Sequence, residues 1–421
     1  MRHGSGRVVR CLLALVLAMT LGCNGTDPGD DPDAGPEAGL EASVRDVEVP
    51  PDVRDARVGD ARPDSEWCGA NPFPGVDPNA QELISDAPAV ISMGFSWDGS
   101  RIAYSRAAPG PAVPSMDYEV YLFEMDTWQE IQITFLPDSW QRSPTMSAGQ
   151  IIWTDGRYRT IGVDDYRFEL VVYDIDSSQE ARLTDSPDKK TFPRFNGRYL
   201  AYDFFAEGTG TGELRLLDLV TSDDIVLSPV DRASEGFSIS SRFVTWVAMP
   251  PNAQFYNKDV HIYDLQTQQT LRLESTAGDL TYETSVSGSK VAWADFRHGQ
   301  WDVYLYDIEA GQETRLTDDP FDQGAPAIHG NLVTFSDFRF TGGYLDGYCA
   351  RDIYILDIDT MIGRRVTTLP WYWWGMPGDD GWLLAILRDE LSLDSPAKLY
   401  LFDLIAMGIL DPTGQHVLPG P

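Results

Sequence analysis

Three stretches of this chain, "WTDGR", "WADFR" and "FSDFR", set a carboxylate two residues before a guanidinium: Asp155 and Arg157, Asp295 and Arg297, Asp337 and Arg339. Such groups form charge-assisted pairs. Catalytic residues rarely recur with a repeat, so three copies read as structural ion pairs, expected to form an internal ring. Asp-rich turns such as "DDPFD" offer the oxygen ligands that calcium takes, without the dense alternating spacing of a dedicated site. No other cofactor is expected. His261, His298, His329 and His416 have no partner at metal-ligand or nucleophile spacing. "GFSWD" and "GFSIS" lack the second glycine of a nucleophile elbow. The glycine-rich "GTGTG" at 208–212 has no helix pattern behind it to cradle a phosphate. No catalytic residue and no metal ligand is assigned.

Two departures from the surrounding pattern are candidate ligand-binding elements. "LPWYWWGMP" aligns with "DDPFDQGAP" elsewhere and places Trp371, Tyr372, Trp373 and Trp374 where other copies are mostly polar. Aromatic rings on a loop can stack on sugars or peptide side chains, or they can fill a gap between divergent neighbours. The long insertion "RFTGGYLDGYCARD" adds Tyr344 and Tyr348. Charge narrows the partner: 65 acidic against 32 basic residues give a net charge of −33, which repels nucleic-acid backbones. A protein or glycan partner is expected, and a monomer.

What positions these groups is a repeat. Taking the acidic residue after each aromatic pair as a ruler, "VYLFE" ends at Glu124, "LVVYD" at Asp174, "LRLLD" at Asp218, "VHIYD" at Asp264, "VYLYD" at Asp307, "IYILD" at Asp357 and "LYLFD" at Asp403. The spacings of 43 to 50 residues are those of a four-stranded propeller blade. The ruler segments are β-branched or aromatic at nearly every position, as a strand packed on both faces requires. Turn residues such as "EAGQ" and "TDDP" punctuate them. The chain therefore reads as all-β, a single propeller of seven four-stranded blades at 67–421, with six or eight as alternatives. "QELISDAP" at 81–88 looks like the end of a repeat that has lost its beginning. It could complete the last blade and close the ring, unless "GILDPTGQHVLPGP" supplies that strand.

The pattern "DxYxYDxxxGxxxxLT", clearest from Asp302 to Thr317, resembles the TolB-like propeller repeat of exported bacterial proteins, a relative of WD40 repeats. The resemblance covers roughly residues 80 to 410 and implies a fold. It implies little about function, because the domain that precedes the propeller in TolB has no counterpart here.

At the N-terminus, "MRHGSGRVVR" followed by "CLLALVLAMTLG" has the charge and short apolar run of an export signal, 1–22. Its end, "TLGC", resembles the lipobox of bacterial lipoproteins and departs from it at Thr20 and Leu21. That resemblance makes Cys23 the lipidated residue and implies an outer-membrane or cell-surface location, touching the membrane through the lipid alone. Ordinary signal-peptidase cleavage is the other reading. Residues 23–66 are acidic, rich in Pro, Gly and Ala and free of aromatic residues, the composition of a disordered stalk. Cys68 and Cys349 then remain as an even pair in an oxidising compartment, read as a disulfide, with two free thiols as the alternative.

The expected function is that of a lipid-anchored, non-enzymatic binding or scaffold propeller. The alternative is a propeller enzyme, a polysaccharide lyase or hydrolase, with a site on the channel face.

Overall fold

The computed structural model describes residues 77–83, 91–107, 118–136, 139–158, 167–207, 212–230, 236–248, 258–274, 281–338, 351–367, 372–378, 381–388, 397–411 and 413. These form 28 strands in seven antiparallel four-stranded sheets. Blade 1 is β2–β5 (Ile91–Trp97, Arg101–Ala107, Tyr118–Glu124, Gln129–Gln132), and blade 2 is β6–β9 (Gln141–Ser147, Gln150–Asp155, Glu169–Asp174, Gln179–Arg182). Blade 3 is β10–β13 (Lys189–Phe195, Tyr199–Phe205, Gly212–Asp218, Asp224–Val230), and blade 4 is β14–β17 (Ser238–Ile239, Phe243–Ala248, Asp259–Asp264, Gln269–Leu273). Blade 5 is β18–β21 (Thr281–Ser287, Lys290–Asp295, Asp302–Asp307, Gln312–Arg315), and blade 6 is β22–β25 (Gln323–His329, Leu332–Asp337, Asp352–Asp357, Ile362–Arg365). Blade 7 takes β26–β28 (Tyr372–Pro377, Trp382–Arg388, Ala397–Asp403) from the end of the chain and β1 (Ala80–Glu82) from its beginning.

The ring is thus a seven-bladed propeller closed by an N-terminal strand. β1 pairs with β28 in the register Ala80↔Phe402, Gln81↔Leu401, Glu82↔Tyr400. The fourth-strand position that "GILDPTGQHVLPGP" could have filled is occupied by β1. Each of seven apolar clusters joins one blade to the next. Leu384, Ile386, Leu399 and Leu401 of blade 7, for example, pack on Phe95, Ile102, Tyr104 and Phe123 of blade 1. The third strand of blade 5 is buried on both faces, as its unbroken apolar ruler segment requires, with Val303, Tyr304, Leu305 and Tyr306 all covered, whereas β12 of blade 3 alternates.

Each letter of the repeat has a structural duty. The ruler aspartate caps the hairpin after its strand: Asp307 accepts from the Glu309 and Ala310 amides at 3.0 Å, and Asp174, Asp218, Asp264, Asp357 and Asp403 act alike. The threonine of "LT" accepts from the third strand's backbone, Val303 N to Thr317 Oγ1 at 2.9 Å, repeated at Thr134, Thr184 and Thr367. The first acidic residue of the pattern pairs with an arginine on the fourth strand: Glu169 with Arg182 at 2.8 Å, Asp259 with Arg272 at 2.6 Å, Asp302 with Arg315 at 2.7 Å, Asp352 with Arg365 at 2.9 Å. Blade 7 reverses the signs. There Lys398 stands two residues before Tyr400, as Asp352 stands before Tyr354, and its partner at 2.7 Å is Glu82 on β1.

Topology separates the two faces of the ring. On one, first-to-second and third-to-fourth strand turns have two to five residues. On the other, second-to-third connections run from 6 residues in blades 3 and 5 to 14 in blade 6.

Candidate functional site on the channel wall of blades 3 to 5

The Asp-x-Arg motifs lie where the second strand reaches the long-loop face. Arg157 bonds Asp155 at 2.6 Å and Glu180 at 2.6 Å, and Arg297 bonds Asp295 at 2.7 Å and Glu313 at 2.7 Å. The Trp153 and Trp293 indoles donate to the same aspartates, at 2.9 and 3.3 Å. These contacts run between second and fourth strands of a single blade, so each pair clamps its own blade. Asp337 is fully buried at the equivalent place in blade 6, and Arg339 lies outside the described residues. In the "DDPFD" turn, Asp319 accepts from the Phe321 amide and the Gln323 side chain, and Asp322 accepts from the Trp301 amide.

Burial pushes the Asp302 carboxyl up to about 6, against the pull of Arg315, and the Asp352 carboxyl up to about 6, against Arg365. His261 stacks on Trp246 at 5.1 Å, and burial pushes its pKa down to about 4, so it is a neutral packing ring. Among the described residues, no three His, Cys, Asp or Glu side chains converge as a metal-holding group.

The aromatic segment is not a loop. Tyr372, Trp373 and Trp374 belong to β26, the innermost strand of blade 7, with a bulge between Tyr372 and Trp374. Trp374 is half-buried in the core between blades 7 and 1, its ring 5.0 Å from that of Phe95. Trp371, Tyr344, Tyr348, Cys23, Cys68 and Cys349 lie outside the described residues.

Another site emerges from the first strands, which line the channel. The residue paired with the middle of the second strand is Ser96, Thr145, Arg194, Ser238, Ser285, Ala327 or Met376, in blades 1 to 7. Where it is Ser or Thr, its hydroxyl accepts from the backbone of the next blade. Met146 N reaches Ser96 at 2.9 Å, Phe195 N reaches Thr145 at 3.1 Å, Val286 N reaches Ser238 at 3.3 Å and Ile328 N reaches Ser285 at 3.1 Å. These bonds form a belt of stitches around the channel. At blade 6, Thr334 donates instead to Gly375 O at 2.6 Å, and at blade 7 Met376 joins the apolar core.

Blade 3 alone puts a charge in the belt. The Arg194 guanidinium sits 5.8 Å from the centre of the Phe237 ring on blade 4, and among the described residues its one hydrogen bond is to the Pro193 carbonyl at 3.1 Å. Among the described residues no carboxylate lies within the 4 Å of an ion pair. Burial lowers its pKa, while Asp203 on its own blade and Glu283 on blade 5 oppose the shift. Glu283 acts on Arg194 from blade 5, and the innermost strand of the intervening blade 4 has only two residues. Gly236 makes that shortening workable: at φ +82° it brings its backbone against Glu283, where a Cβ would lie 2.4 Å from the Glu283 Cα. Phe192, the bulged residue of β10 at φ 53°, is 39% exposed two positions from Arg194.

Bulges hid this site from the sequence. Six of the seven innermost strands shift register, so residue counting slips where the belt must be aligned.

No family model matches the chain, and no curated protein matches it significantly. Solved structures do. The oligogalacturonate lyase of Vibrio parahaemolyticus shares 13% identity over 78% of this chain and 96% of its own, with a TM-score of 0.55. The β-propeller domain of the Trilobed protease from Pyrococcus furiosus, described as having an open velcro topology, shares 13% over 75% of this chain and 95% of its own, at 0.51. TolB from Acinetobacter baumannii shares 16% over 75% of this chain and 80% of its own, at 0.41, too loose a superposition to bear on kinship. At these identities the likeness shows the fold alone: this chain is a seven-bladed β-propeller.

Proposed function

We propose that the protein is a binding propeller held at the bacterial cell surface or outer membrane by a lipid on Cys23, which presents its long-loop face and channel mouth to a glycan or protein of the envelope. The observation that carries this reading is the asymmetry of the two faces. All connections longer than five residues leave from one side, and variable loops on a rigid scaffold are where recognition is usually built. The recurrent acids of blades 2, 4, 5 and 6, by contrast, are tied into ion pairs within their own blade, which supports a structural duty for the repeat.

The test replaces residues 339–350 of blade 6 so that its connection is as short as that of blade 5, and compares capture on an array of envelope glycans with that of the wild type. Loss of capture at an unchanged melting temperature is expected; undiminished capture would remove blade 6 from the binding face. The anchor is tested by metabolic labelling with a palmitate analogue, which should mark the wild type and spare Cys23→Ser. Equal labelling of the two would end that part of the reading.

A further inference from the structure

We infer that Arg194 anchors a carboxylate-bearing ligand in the channel, between blades 3 and 5. This deepens the binding reading above by giving it a ligand chemistry. The argument begins with what the position is for. Four blades fill it with a hydroxyl that stitches one blade to the next, and the Thr145 stitch ends on Phe195 N, beside Arg194 itself. An arginine here gives up blade 3's own stitch, whose acceptor by the same geometry would serve Ile239 N. It also brings a guanidinium into a confined space where no carboxylate pairs with it among the described residues.

A guanidinium presents five donors in a planar fork suited to a carboxylate, and here one bond to a backbone carbonyl leaves most of them open. Two further features fit. The innermost strand of blade 4 is only two residues long, and Glu283 of blade 5 acts on Arg194 electrostatically past it. Asp203 and Glu283 hold the guanidinium in its charged form, and the Phe192 ring, two positions away in the sequence, is exposed and offers an apolar platform. A carboxylate carried on a ring with an apolar face, such as a sugar acid, meets both the fork and the platform, whereas a neutral sugar leaves the fork unmet.

The experiment titrates the full chain with D-glucuronate, D-glucose and acetate, following amide shifts by NMR or heat by calorimetry. Saturable binding of D-glucuronate in the millimolar range is expected, with D-glucose much weaker. Acetate binding as well as glucuronate would mean that the carboxylate alone is read, and would also support the site. Arg194→Ser should lose at least roughly tenfold in glucuronate affinity. It should melt no lower than the wild type, because the serine restores the missing stitch, so lost binding is not lost folding. Arg194→Lys, which keeps the charge without the fork, should fall between the two.

No saturable binding of either carboxylate, equal binding of D-glucose, or full affinity in Arg194→Ser would each overturn the proposal. Such a result would leave the loop-face reading standing, since capture on the glycan array is measured independently.

Discussion

Ring closure by β1 rests on an ion pair with reversed polarity, and that makes it open to a charge-swap test. In blades 2, 4, 5 and 6 the third strand carries the acid and the fourth the arginine; in blade 7 the third carries Lys398 and the fourth Glu82. Glu82→Arg gives β1 the ordinary fourth-strand residue and sets it against Lys398. The side chains are 22% and 30% exposed, and the 2.7 Å contact lies off the hydrogen-bonding direction. Its attraction is therefore worth about 1 kcal/mol, not the larger figure for a dry pair. Losing that attraction and adding a repulsion of similar size costs about 2 kcal/mol. Since β1 is held by three register pairs, the cost falls on local opening of this strand. The Leu83 amide, bonded to Leu399 O at 3.1 Å, should then exchange with deuterium roughly thirtyfold faster. Glu82→Arg combined with Lys398→Asp, which imposes the polarity of the other blades, should return the exchange rate to near its original value. If the single change leaves exchange unaltered, or the double change fails to recover it, the polarity of the pair does not govern closure.

Other outcomes follow from the same structure. Trp374→Ala should cost about 2–3 kcal/mol in urea unfolding, less than a fully buried tryptophan, because its ring is half-buried against Phe95; a change within error would free it for ligand contact. Thr317→Val leaves the Val303 amide without its acceptor in a buried place and should cost about 1–3 kcal/mol, measured in the same way. A carboxyl whose pKa is raised on folding holds its proton more tightly in the native state. Protonation of Asp302 and Asp352 therefore adds stability as pH falls through about 6, and that gain is complete below the unfolded value near 3.8. The melting temperature should be higher at pH 5 than at pH 7.5, and a steady fall across that interval would contradict the assignment. Non-reducing peptide mapping should find Cys68 linked to Cys349, and complete alkylation of both thiols in unreduced, denatured protein would exclude the bond.

The fold is legible in the sequence because seven copies of one β-branched and aromatic strand recur at the period of a propeller blade, and the recurring letters do local work. Asp307 caps its own hairpin, and Thr317 reaches a strand 14 residues earlier. Even the closing strand was readable, since Gln81 onward copies the end of a repeat. The channel site was not, because its meaning depends on register. Matching "LPWYWWGMP" letter by letter to "DDPFDQGAP" sets Trp374 opposite Gln323, whereas the ladders put Trp374 and Gly324 at the same level, across from Ile386 and Ser336. The slip turned an innermost strand into an apparent loop. Arg194 was overlooked for the same reason: only the ladder shows that it replaces a stitching hydroxyl.

β1 also decides how the molecule meets force. Whatever tugs on the chain upstream of Asp77 reaches the propeller at Ala80–Glu82, an outermost strand held by three rungs, one charge contact and, just beyond it, the buried Leu83 with its amide on Leu399 O. Peeling that strand would draw Leu83 out of the cluster shared with blade 1 and Ala80 off the cluster shared with blade 6, while β26–β28 keep their mutual pairing. The strand that completes the ring is thus also the place where a pull on the preceding chain is first borne, by three residues rather than by a whole blade.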